Sequence, residues 1–154
     1  MLDRLRRLVA DLAQAEGPPE FTEDDHRVAA AALLVHIMKA DGTVDAAERA
    51  TLHRIIKDSF GLDDDEAERL AAEARLRDDQ AIDLYGFTSV LKRHLDRDQR
   101  LHLIEMMWKM VFADGAMSEL EDNIVWRVAE LLGISTRDRV LLKQRIGGAT
   151  ESGV

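Results

Sequence analysis

Five of the six carboxylates in two copies of one short pattern are candidate ligands. Asp41, Asp45 and Glu48 belong to Ala40-Asp41-Gly42-Thr43-Val44-Asp45-Ala46-Ala47-Glu48. Asp114 and Glu121 belong to Ala113-Asp114-Gly115-Ala116-Met117-Ser118-Glu119-Leu120-Glu121, 73 residues later. Each copy sets an acid directly before a glycine and a second acid seven residues on. Oxygen donors of this kind suit a hard divalent cation, calcium or magnesium, rather than zinc or copper. Such a site requires the two turns to lie together and pool all five residues. Its affinity is then expected to be modest, because each turn alone has few ligands.

Turn chemistry accounts for much of the pattern without any ligand. Asp45-x-x-Glu48 and Ser118-x-x-Glu121 are capping boxes, which satisfy backbone donors at a helix start. Gly42 and Gly115 suit the left-handed residue that ends the helix before. Asp41 and Asp114 are different. An acid in the last turn of a helix faces the negative end of its dipole, an unfavourable placement of ~0.3–1 kcal/mol. A hydrogen bond within the turn, an arginine such as Arg54 or Arg127, or a cation would each compensate it. Neither copy is an EF-hand: positions one and three of that loop would be Ile37 and Lys39, then Met110 and Phe112, none a carboxylate.

The elements that must position these turns are helices. Two prolines and much Ala, Leu, Arg, Glu and Asp favour helix throughout the 154 residues. A chain of this length buries roughly 70% of its unfolded surface, enough for one domain with a proper core. Thr22-Glu23-Asp24-Asp25 predicts a helix start near Glu23. From Val28 to Met38 only His36 is polar, so this helix is central, and His36 reads as a satisfied boundary group before a ligand. Leu52, Ile55, Ile56 and Phe60 predict the next helix, closed by Gly61; Asp63-Asp64-Asp65-Glu66 caps another, reaching about Leu76. Ile82, Leu84, Tyr85, Phe87, Val90, Leu91 and Leu95 suit a helix weakened by Gly86. A second apolar helix runs from Leu101 to Phe112, one follows around Ile124 to Leu132, and Ser135 caps a last one over Val140 to Ile146.

The repeat is wider than the turns. Leu33, Val35 and Ile37 shift onto Met106, Trp108 and Met110, and Phe60-Gly61-Leu62 matches Leu132-Gly133-Ile134 after a one-residue deletion. The expected fold is all-α, a single domain of about seven or eight helices built from two pseudo-twofold-related helix–turn–helix repeats. Leu2, Leu5, Leu8, Val9 and Leu12 form an apolar stripe at helical spacing, opposite Arg4, Arg6, Arg7 and Asp11. Residues 1–19 thus read as an amphipathic helix and a Gly17-Pro18-Pro19 linker, 20–146 as the helical domain and 147–154 as a flexible tail.

A net charge of −9 argues against nucleic acid as a partner, since phosphate binding needs a basic stripe. Without cysteine there is no disulfide, thiolate ligand or thiol nucleophile. The longest apolar run is far short of a membrane span, and no signal-peptide pattern opens the chain; a cytoplasmic protein is expected. His26, His36, His53, His94 and His102 show no ligand spacing, and no nucleophile–base ordering or phosphate-cradling glycine loop occurs. The expectation is a non-catalytic protein, a carboxylate-based hydrolase being the enzymatic alternative.

The doubled Ala-Asp-Gly-x-(Val/Met)-x-x-x-Glu stretch, with Leu84-Tyr85-Gly86-Phe87-Thr88 between its copies, resembles the TerB-like tellurite-resistance family. The similarity runs from about Glu20 to Ile146. It implies an all-helical domain whose clustered acids, here Asp41, Asp45, Glu48, Asp114 and Glu121, bind divalent metal in a stress response. A protein partner and peripheral membrane association are implied with it. Ser118 departs from the pattern where the first copy has Asp45, leaving the second half poorer in charge. The alternative is a metal-free protein–protein adaptor whose acidic turns only cap helices.

Overall fold

The apolar stretch of Val28 to Met38 folds as α1 (His26–Met38), and four other helices pack against it. The computed structural model describes residues 5, 25–40, 42, 44–114 and 117–152, with the side chains of 114 and 148–152 excepted. Asp25 is the N-cap of α1: its Oδ1 accepts from the backbone N–H of Arg27 at 2.9 Å, and the guanidinium of Arg27 closes on both carboxylate oxygens. The helix thus starts at His26; Thr22, Glu23 and Asp24 of the expected box lie outside the described residues. Every residue of α1 from Val28 onward is buried except His36. Burying Leu33, Leu34 and Ile37 stabilises the fold by about 2 kcal/mol each.

The alanines Ala29 to Ala32 let a neighbour come close. That neighbour is α3 (Asp64–Gln80), which buries Ala67, Ala71 and Ala74 of its own. Small residues on both sides shorten the distance between axes and leave no voids. Between them in sequence lies α2 (Ala46–Phe60), which buries Leu52, Ile55 and Ile56. A short α4 (Tyr85–His94) also packs on α1. Then α5 (Arg97–Val111), α6 (Glu119–Leu131) and α7 (Thr136–Ser152) complete the order, with a 3₁₀ turn Phe112–Asp114 after α5. Helices α1 and α5, the two strongly apolar segments, meet in the core, and α5 also supports α6 and α7.

The two halves end alike. Gly61 and Gly133 hold φ of 63° and 74°, and the residue after each donates its N–H five residues back, Leu62 to Lys57 O and Ile134 to Ala129 O. Both are Schellman closures, with Leu62 and Ile134 buried as their apolar contact.

Three expectations need correction. Ile82 is fully exposed and Leu84 only precedes α4, because Asp83 draws the N–H of Tyr85 and the helix begins there, beyond Ala81 to Leu84. The second apolar helix starts at Arg97, four residues before Leu101, through a full capping box of Asp96 and Gln99. The last helix spans Thr136–Ser152, longer than Val140 to Ile146, and packs Gly147 against the ring of Phe112. Among the described residues no helix is long and apolar enough to cross a membrane.

Candidate functional site

Both acidic turns leave an apolar helix and open a polar one. After α1 the chain turns at Gly42, whose φ is 84° and whose N–H reaches Lys39 O at 3.0 Å, as a left-handed helix stop requires. Asp45 then caps α2: its Oδ1 accepts from the N–H of Glu48 at 2.7 Å. After α5 the 3₁₀ turn brings the chain to Ser118, which caps α6. Ser118 Oγ accepts from Glu121 N–H at 3.1 Å, and Glu121 Oε1 accepts from Ser118 N–H at 3.2 Å. Ser118 and Glu121 thus form the full capping box expected, while at Asp45 the side-chain cap to Glu48 N–H is made. Asp41, Thr43, Gly115 and Ala116 lie outside the described residues, as does the side chain of Asp114. Among the described residues no three metal-ligating side chains converge.

What the described residues do show is where each turn lies. Ala40, directly before Asp41, lines a depression of about 490 Å³ together with Leu120 and Ile124 of α6. The first turn thus abuts the helix that the second turn opens. Ala113, directly before Asp114, lines another depression of about 300 Å³ with Arg54, Ile55, Asp58 and Ser59 of α2. The second turn abuts the C-terminal end of α2, away from Asp45.

The first depression holds a polar cluster that the sequence did not single out. Asp78, near the end of α3, is buried to 3% of its side-chain surface. Its Oδ1 meets His36 Nδ1 at 2.9 Å and its Oδ2 accepts from Lys39 Nζ at 3.0 Å; Lys39 also reaches Asp79 at 2.7 Å. Burial pushes the Asp78 carboxyl up, but the bonds and charges of His36 and Lys39 outweigh it and hold the group below the usual aspartate range. His36, the lone polar residue between Val28 and Met38, was the only signal available. Its partner 42 residues away was not legible. His36 is a satisfied boundary group, as expected.

Behind the second turn the packing is aromatic. Trp108 is buried and stacks on Phe112 with ring centroids 5.6 Å apart, while Lys143 of α7 lies over its face at 5.4 Å. Lys143 also donates to Asp122 Oδ1 at 2.9 Å, which in turn accepts from Trp126 Nε1 at 3.1 Å. The acid run Asp63 to Glu66 proves to be helix chemistry: Asp63 and Glu66 form a capping box, and Asp64 takes Lys57 and His53 from α2.

With this arrangement, residues 27–144 match the family model described as tellurite resistance protein TerB. The chain belongs to the TerB family. The TerB domain so defined begins within the first turn of α1 and ends inside α7, leaving the amphipathic N-terminal stretch outside it. No curated protein matches the chain. A crystal structure of a protein of unknown function from Porphyromonas gingivalis is similar at 17% identity, covering 84% of this chain and 98% of that one, with a TM-score of 0.58. At that identity the likeness shows a shared all-helical TerB-compatible fold and nothing of activity.

Proposed function

We propose that this protein is a non-catalytic TerB domain of the tellurite-resistance type that takes a calcium or magnesium ion between its acidic turns and engages a protein partner in the cytoplasm. The observation that supports the reading is that Ala40, beside Asp41, shares a depression with Leu120 and Ile124, which directly follow the second turn. Asp41, Asp45, Glu48, Asp114 and Glu121 would hold the ion. The donor set fits a hard cation, being all carboxylate oxygen. It fits a modest affinity, since Asp45 and Glu121 each commit one oxygen to a helix cap. A bound divalent charge would offset the repulsion among carboxylates and the unfavourable ends of two helix dipoles.

One observation favours a second reading, a metal-free adaptor. Arg54 and Lys109 line the same depression as Ala113, so protein cations stand beside the second turn. The variant Asp41→Asn with Asp114→Asn separates the two. A cation site predicts loss of calcium binding by calorimetry with the fold retained. The adaptor predicts no calcium binding in either protein and unchanged partner capture.

A further inference from the structure

A groove of about 460 Å³ lies between α1, the end of α3 and α4. Val28 and Ala29 of α1, Phe87 and Val90 of α4, and Ala81 and Ile82 give it an apolar lining beside the polar Arg77, Gln80 and Asp83. Ile82 of the lining is fully exposed, and Tyr85, which opens α4, is two-thirds exposed. The loop that carries Ile82 is hydrogen-bonded at both ends. Ala81 N–H donates to Asp78 O, and Asp83 fixes Tyr85 at the start of α4.

The chain outside the TerB domain supplies matching chemistry at the right place. Residues 1–12 carry the stripe Leu2, Leu5, Leu8, Val9 and Leu12, and Leu5 is helical and 59% exposed. This stripe joins the domain at Asp25, one helical turn before Val28 of the groove lining. The thirteen links from Leu12 to Asp25 reach up to ~45 Å when extended, more than the span back to a groove that begins at the junction. Charge agrees as well. Residues 1–10 hold three arginines against one aspartate in a chain of net charge −9.

We infer that the groove between α1, the Ala81–Leu84 loop and α4 is the docking site of the chain's own N-terminal amphipathic stretch. Its leucines seat between Ile82 and Phe87, and its arginines face outward. The occupant is a segment of the same molecule, so the effective concentration is high and the contact needs little intrinsic affinity.

The absence of cysteine makes the test clean. In the full chain, Ile82→Cys is paired in turn with Leu5→Cys, Leu8→Cys and Leu12→Cys, and each protein is oxidised at low concentration. A control pairs Leu5→Cys with Leu141→Cys, which is exposed on α7. A disulfide closes only when the Cα atoms come within ~7 Å. At least one groove pair should close within a single chain at ten times the control rate or more. Closure no faster than the control overturns the inference, and so does a product made only of cross-linked dimers. Ile82 is fully exposed, so its replacement leaves the fold intact. As a second measure, Leu5→Glu with Leu8→Glu should raise amide exchange over residues 81–90 several-fold. Unchanged exchange there contradicts the docking.

Discussion

Oδ1 of Asp78 sits 2.9 Å from Nδ1 of His36, tying the end of α3 to the last turn of α1. The bond anchors the helix end from which the first acidic turn departs. Lys39, the last residue before Ala40, is held by the same carboxylate. A buried acid thus fixes the exit of the chain into the turn, while its cations remain partly in water.

The cluster gives a pH prediction. The Asp78 carboxyl is held below its ordinary value, so its contribution is complete above about pH 4 and is lost as pH falls through the lower folded value. Asp78→Asn should cost about 2 kcal/mol at neutral pH, in line with hydrogen bonds to charged partners. It should also flatten the acid limb of the stability curve below pH 4, where wild type loses this increment. Denaturant midpoints at pH 7 and pH 3 check both.

Caps and ligands can be told apart at Asp45. Asparagine caps a helix as well as aspartate, so Asp45→Asn should leave the melting temperature within a degree or two. Asp45→Ala and Ser118→Ala should each cost about 1 kcal/mol. If Asp45 also holds an ion, Asp45→Asn alone weakens calcium binding. Thermal melts with and without calcium distinguish these outcomes.

Tight packing between α1 and α3 should show in a single enlargement. Ala31 has no exposed surface and lies in the run Ala29 to Ala32 that faces the other helices. Ala31→Leu should destabilise by roughly 1–3 kcal/mol through overpacking. Urea midpoints check it, with exposed Ala50→Leu as the neutral control.

The paired helix ends offer a further test. Gly61 and Gly133 occupy left-handed backbone with open space around them, so alanine there meets strain without a clash. Each substitution should cost roughly 1–2 kcal/mol, lowering the melting temperature by a few degrees. Equal losses at both positions would match the shared Schellman geometry.

Much of this fold was legible because it is written in local chemistry. The N-cap at Asp63, the glycine stops at Gly61 and Gly133 and the apolar run of α1 each need only neighbours within a turn. Asp96-x-x-Gln99 was equally readable as a capping box, yet the apolar count from Leu101 drew attention away from it. Ile82 misled for the opposite reason: its type suited a helix, but Asp83 captured the next turn and left it in solvent. The link from His36 to Asp78 spans 42 residues and depends on how α3 crosses α1, which no local pattern encodes. For the candidate site, the caps were readable and the seating of the first turn beside Leu120 and Ile124 was not, because it arises from long-range packing.

The most direct test of the cation site is a calorimetric titration of the full chain with calcium, repeated on Asp114→Asn. The account predicts saturable binding of about one ion at micromolar to millimolar affinity, a calcium-dependent rise in melting temperature, and loss of both in the variant while its far-ultraviolet spectrum stays helical. Absence of binding heat and of any melting shift at several millimolar calcium or magnesium would contradict it, and so would equal binding by Asp114→Asn.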